Sequence, residues 1–232
     1  MTSAVGETAL FFLFSFLAFL FTISVHESAH ALVADRCGDS TARLAGRISL
    51  NPLRHMELFG TVLLPVLMAI TGLPIIGWAK PTPVDVRNLR RPRLDDILVS
   101  AAGPASNLVT AVGCLLFLLV IRLSSTEGSR IVERLASTGS AGLHGSALLP
   151  LAWLLHRLLV ISLILGIFNL IPVPPLDGSH ILHNLLPSRA QAAYRGVARF
   201  GFLILLLVFW YTPLDEWMFA PATHLFNTLL RK

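Results

Sequence analysis

Charge is scarce in this chain of 232 residues. Only 13% of them are Asp, Glu, Lys or Arg, 54% are hydrophobic, and the mean hydropathy is +0.72. A soluble domain carries about a quarter charged residues, so the deficit excludes a surface that faces water throughout. Cysteine is scarcer still. Cys37 and Cys114 are too few and too far apart for a disulfide framework or a CxxC metal knuckle. There is no internal repeat and no low-complexity linker, and little room for an appended soluble domain. The N-terminus lacks the basic region of a signal peptide, and its apolar run continues into functional-looking residues, so it is not expected to be cleaved.

What the chain has instead is a series of long apolar runs. The first covers 9–25 and is expected to continue as helix through His26, Glu27 and His30 to about residue 35. Others cover 58–76, broken by Pro65, Gly72 and Pro74, then 97–121, 149–170 and 200–214. Several approach the ~20 residues that a helix needs to cross the bilayer hydrocarbon. The chain therefore reads as an all-α polytopic membrane protein with about four to six membrane segments. Short membrane-associated β pieces are expected around Arg47, Ile48, Ser49 and Leu50, and the tail 215–232 reads as amphipathic and interfacial.

The net charge of +5 belongs to the same pattern. Lys and Arg cluster between the apolar runs, where they set membrane orientation rather than bind nucleic acid. Twelve lie in 36–57, 77–96 and 171–199, against five in 122–146 and the tail. The twelve are expected to face the cytoplasm, with the N-terminus outside.

His26-Glu27-Ser28-Ala29-His30 is an HExxH pattern. Residues i and i+4 share a helix face, so both imidazoles can reach one metal ion. Glu27, beside that face, is placed to take a proton from water at the metal. Five residues alone are a modest signal, but these follow seventeen uncharged ones, 9–25. An ionisable group deep in a membrane costs a few kcal/mol unless paired or solvated. Three such groups in five residues call for a compensating partner. The competing reading is polar side chains reaching the interface at a helix end.

A catalytic zinc takes three protein ligands and leaves a position for water. Asp177 is the best candidate for the third. It ends Asn169-Leu170-Ile171-Pro172-Val173-Pro174-Pro175-Leu176-Asp177-Gly178, directly after a long apolar run. Its three prolines cannot continue a helix, and irregular backbone at membrane depth survives only when buried in protein or lining a wet cavity. A plain helix stop at the interface is the competing reading. His180, three residues on, is a weaker candidate for the same ligand position.

With these residues in view, HESAH in a membrane helix and NLIPVPPLDG downstream resemble the site-2 protease family of intramembrane zinc metalloproteases. Ala102-Gly103-Pro104-Ala105-Ser106-Asn107 resembles the GPxxN element of that family. GRISLNPLRH and GWAKPTPVDV resemble a compact prokaryotic subgroup without PDZ or CBS domains. The resemblance implies that His26, His30 and Asp177 hold one Zn2+ per chain, that Glu27 is the catalytic base, and that Asn169 polarises the scissile carbonyl. It also implies hydrolysis of peptide bonds in or near transmembrane segments of membrane-protein substrates, as in regulated intramembrane proteolysis, in the cytoplasmic (inner) membrane of a prokaryote. One domain is expected over 1–232, with its three-helix core at 8–35, 97–121 and 149–178. A C-terminal membrane segment and tail are expected at 200–232.

Ligands of one metal must lie at one depth, which constrains the topology. The run 97–121 leads out and 149–170 leads back, returning Asp177 to the side of the HExxH. A single crossing by 58–76 would put the two motifs on opposite faces. That segment is therefore expected to be re-entrant or interfacial, with the active site toward the cytoplasm.

Other polar residues have plainer readings. Asn51, His55 and Glu57 either line the mouth of the site or, the favoured reading, make interfacial hydrogen bonds. Asn107 bonds a neighbouring helix or supports the zinc site, the two weighing equally. His156 and Arg157, inside an apolar run, are expected to pair with each other or with a loop. A metal or proton transporter would need a second acidic or histidine site along a path, and the sequence offers no such file. A catalytically silent scaffold would keep the motif without zinc. The expected partners are a transmembrane protein substrate and the lipid bilayer, with no nucleic acid.

Overall fold

The computed structural model describes residues 2–71, 77–138 and 146–211. An apolar segment without water to bond its amides has one stable local solution, the helix, which pairs its backbone groups internally. In chain order the helices are α1 (Thr2–Cys37), the short α2 (Thr41–Leu44), α3 (Leu64–Thr71), α4 (Pro92–Ser124), α5 (Thr126–Thr138), α6 (Leu149–Asn169), α7 (Asp177–Leu185), α8 (Ser188–Ala198) and α9 (Gly201–Tyr211). A π-helical turn, Leu58–Leu63, runs directly into α3.

Three of these helices are long and apolar enough to cross a membrane, at Leu10–Cys37, Pro92–Ser124 and Leu149–Asn169, and they match the runs expected at 9–35, 97–121 and 149–170. The chain is an integral membrane protein. The helices α8 and α9 form a pair bent by 67° that makes a fourth span if it counts as one. No further spanning helix occurs among the described residues, so the upper part of the expected range finds no support there. Leu58–Met68 is apolar but short; residues 72–76 and the tail 212–232 lie outside the described residues.

Two local expectations differ from what is seen. Among the described residues there is no β-strand, and Arg47–Leu50 is irregular rather than extended against a partner. Its backbone groups are taken by side chains instead: Ser28 Oγ and His55 Nε2 both donate to the Ser49 carbonyl, and the Ser49 N–H donates to Ser28 Oγ at 3.2 Å. The loop expected over 122–146 contains α5. Its Val132 and Leu135 are buried while Glu133 stays outward enough to reach Arg122 at 3.8 Å, an amphipathic pattern that packing stabilises.

The described residues fall into two compact units, one drawing on Met1–Thr22 and Leu108–Ile164, the other on Ile23–Asn107 and Leu165–Asp215. The core of the first is apolar, built from Leu118, Val132, Leu135, Trp153, Leu159 and their neighbours. Phe11 and Phe14 pack on Trp153, with ring centroids 6.2 and 5.4 Å apart. The Arg157 guanidinium lies 3.9 Å over the Phe11 ring, a cation–π contact.

The second unit is tied together by polar groups. Asp39 is fully buried and accepts from the Asp85 N–H at 2.7 Å, Asn88 Nδ2 at 3.0 Å, and both the N–H and hydroxyl of Thr41. Burial opposes its charge, but these donors hold its carboxyl below the usual range. Lys80 N–H donates to the His55 carbonyl at 2.8 Å, and Thr61 Oγ1 to the Trp78 carbonyl at 2.7 Å. The Trp78 indole lies against Gly60 where any Cβ would overlap it. These bonds lay the segment 77–85 across the HExxH end of α1.

Candidate metal centre

The centre is assembled within the second unit from three elements. One turn of α1 carries His26 and His30, and both are buried. Their Nε2 atoms lie 3.0 Å apart, because residues four apart on a helix stack on one face. Asp177 is brought to them by the proline-interrupted segment after α6. There the Leu176 N–H bonds the Val173 carbonyl and the Ser179 N–H bonds the Leu176 carbonyl, so the chain turns tightly and restarts as α7 at Asp177. Asp177 Oδ2 lies 3.1 Å from His26 Nε2 and Oδ1 lies 3.4 Å from His30 Nε2.

The spacing suits a metal. Tetrahedral zinc holds nitrogen and oxygen ligands at about 2.0–2.2 Å, which separates neighbouring ligand atoms by about 3.3 Å. Separations of 3.0, 3.1 and 3.4 Å fall around that figure. Asp177 Oδ2 is buried and, despite its closeness to His26, is not aligned for a hydrogen bond with any group. A buried carboxylate oxygen left unbonded is costly, and a cation among the three groups removes that cost. Among the described residues this is the one cluster of three or more His, Cys, Asp or Glu side chains with metal-binding spacing.

The third element is α4. The His30 Nδ1–H donates to the Val99 carbonyl at 2.7 Å, leaving Nε2 as a lone pair turned toward Asp177. Asn107, fully buried, places its side-chain amide 3.0 Å from His26 Nδ1. Between them, Gly103 lies against both imidazoles, and a Cβ there would overlap His30 Nε2 and the His26 ring. Val99, Gly103 and Asn107 are four residues apart and share one helix face.

Glu27 stands beside the cluster rather than in it. Its Oε2 accepts from the Thr82 N–H at 2.8 Å and from Thr82 Oγ1 at 2.7 Å. Asn169 ends α6, half-buried, with its amide donating to the Leu165 carbonyl at 2.9 Å. His180 is exposed on α7 and outside the cluster. Its Nδ1 is 3.7 Å from Asp96 Oδ2, and that carboxylate raises the imidazole above the usual histidine range. Asn51 and Glu57 cap the turns that follow them, accepting from the N–H groups of Leu53 and of Phe59 and Gly60, while His55 is fully buried. The favoured reading of these three as hydrogen-bonding residues agrees with this.

Sequence reasoning missed Thr82 and the Val99 carbonyl, whereas Asn107, read as bonding a neighbouring helix or supporting the zinc site, meets His26 of α1. The one available signal was the four-residue spacing from Val99 through Gly103 to Asn107. Thr82 lies far from Glu27 in the chain, and nothing local announces their bond.

Known proteins resemble this chain over most of its length. The family model described as Peptidase family M50 matches residues 14–208, a stretch containing every site residue named above. The chain is 36% identical over 209 residues to a Bacillus subtilis (strain 168) protein named "Putative zinc metalloprotease YwhC", covering 90% of this chain and 84% of that one. It is 29% identical over 217 residues to a Mycolicibacterium smegmatis protein named "Putative zinc metalloprotease Rip2", covering 93% and 74%. A Mycobacterium tuberculosis (strain H37Rv) protein of the same name is 29% identical over 209 residues, covering 90% and 71%. No solved structure gives a significant match. Membrane helices, a histidine pair with a converging aspartate and the span of the family match lead to one conclusion: the chain belongs to peptidase family M50, the site-2 protease family of zinc metalloendopeptidases.

Proposed function

We propose that the chain hydrolyses peptide bonds in or near transmembrane segments of membrane proteins, with one zinc ion held by His26, His30 and Asp177. The observation that carries this reading is the convergence of those three side chains at zinc-sized separations. Zinc bound there supplies a Lewis acid that activates water near neutral pH and polarises a carbonyl. Glu27 takes a proton from the attacking water and returns it to the leaving amine. Thr82 fixes one carboxylate oxygen of Glu27, Oε2, with two hydrogen bonds, which leaves Oε1 as the oxygen to take the proton. Asn169 carries two amide N–H groups, one committed to Leu165; the other donates to the developing oxyanion, a contribution of about 3 kcal/mol where it has been measured.

The bilayer sets the substrate's conformation. A transmembrane helix has its carbonyls bonded internally, so a substrate must unwind locally to present one, and segments that unwind readily are preferred. The basic loops favour a site toward the cytoplasmic side, and the resemblance to a prokaryotic subgroup favours the inner membrane, an arrangement that suits release of a cytoplasmic fragment in regulated proteolysis. A transporter reading lacks support, since a conduction path needs a series of sites and the described residues hold one cluster.

The test is cleavage of a reconstituted transmembrane substrate by wild type and Glu27→Gln, with zinc measured on both. Glu27→Gln is expected to keep its zinc and lose about 10²- to 10⁴-fold in rate. Equal cleavage by the two proteins defeats the mechanism.

A further inference from the structure

We infer that Asn107 is a positioning residue for His26: its side-chain oxygen accepts the His26 Nδ1 proton and so leaves Nε2 as the lone pair that binds the metal. The inference rests on the zinc assignment proposed above and extends it to a residue that the HExxH and LDG motifs do not contain.

The two imidazoles of the centre have different supports. His30 is held by a backbone carbonyl, Val99 O, an acceptor that cannot be reversed. Its Nδ1 must carry the proton, and Nε2 is the metal-binding nitrogen by necessity. His26 faces a side-chain amide, which can present either an oxygen or an NH2 group. In the structure Asn107 Nδ2 lies 3.0 Å from His26 Nδ1, so Nδ1 accepts and the ring proton belongs on Nε2. A ring that binds a cation through Nε2 has its proton on Nδ1, and two N–H groups would then oppose each other. A half-turn of the amide brings Oδ1 to the same place and restores the bond. Nothing donates to Oδ1 where it now lies, although it is buried, so the turn breaks no hydrogen bond to that oxygen.

The helix holds Asn107 where this requires. Asn107 is fully buried and stands two turns beyond Val99 on the same face of α4, with Gly103 between them admitting both rings. Metal-binding histidines commonly donate their second nitrogen to an outer acceptor, and removing that acceptor typically weakens metal binding about 10- to 100-fold. Here one helix supplies both acceptors, a backbone carbonyl for one ring and an amide oxygen for the other.

The experiment is zinc affinity of the detergent-purified full chain, measured by competition with a chromophoric chelator. Asn107→Leu keeps the size and removes the acceptor, and it is expected to bind zinc about 10- to 100-fold more weakly than wild type. Asn107→Asp keeps an acceptor and has no donor, and it is expected to stay within about threefold of wild type or bind more tightly. A purely structural asparagine predicts the reverse, because the buried charge is the more disruptive change. If Asn107→Leu does not fold, Asn107→Ala replaces it with the same expectation. An acceptor-free variant that matches wild type overturns the inference, as does an Asp variant that falls as far as Leu. Wild type that takes up no zinc overturns the metal assignment and this inference with it.

Discussion

Leu118, Val132, Leu135 and Leu159 are the large, fully buried side chains of the first compact unit, joined by Thr22, whereas the second buries His55, Asn107, Thr61, Asp39 and Asp95 along with Pro65. The first unit is filled mostly with side chains that pack, Thr22 meeting Ser162 at 3.2 Å, and the second holds many that must be hydrogen-bonded. The physical reason lies in what each has to hold. Lipid is as apolar as leucine, so helices associate by close packing rather than by escape from water, and the first unit relies mainly on that. The second must keep two imidazoles and a carboxylate in fixed orientations. Directional bonds from Val99 and Asn107 hold the two rings and those from Thr82 hold the Glu27 carboxylate, which packing alone could not do.

The comparison predicts two classes of mutant. The largest effect is expected from Asp177→Ala, which removes the only acidic member of the cluster. Zinc affinity should fall by more than the ~100-fold ceiling typical of supporting residues, while His180→Ala keeps its zinc. Mass-spectrometric metal content and chelator competition check both. Zinc kept in Asp177→Ala and lost in His180→Ala would reassign the third ligand. Next comes Leu118→Ala in the first unit, expected to destabilise by about 2 kcal/mol, near the low end for buried leucines because lipid offsets part of the transfer cost. Its zinc affinity should match wild type. A thermal melt beside a zinc titration tests the separation, which fails if the two change together.

The smallest effect concerns Asp39. Its carboxyl is held below the usual range in the folded chain, so its contribution is present above the unfolded carboxyl value of about 3.9 and fades as pH falls through that value toward the folded one. Asp39→Asn should lower stability at neutral pH by about 1 kcal/mol or less and flatten the acid side of the stability curve. Melts between pH 3 and 7 check this; parallel curves for the two proteins would deny Asp39 its role in joining the loops.

Legibility followed the range of the physics. HESAH was readable because helical spacing alone puts both imidazoles on one face, and the Pro-rich segment before Asp177 because proline ends a helix wherever it occurs. The three long helices were readable because an apolar run of their length has no other way to satisfy its backbone in lipid. Arg47–Leu50 misled because a β-prone composition does not reveal that Ser28 and His55 will occupy its carbonyls. The helix α5 went unnoticed because it is polar overall and needs Val132 and Leu135 to find a buried face.

By itself the sequence determined that the chain is a helical membrane protein, that two histidines share a helix face, and that an aspartate follows a broken helix. These depend on neighbours within a turn or on the length of an apolar run. Only the tertiary structure decided that the aspartate meets the histidines, that Thr82 holds Glu27, and that α4 presents Val99 and Asn107 to the two rings. Each of those contacts joins residues tens of positions apart. A hydrogen bond acts over about 3 Å, a distance that only the folded packing of distant segments can set.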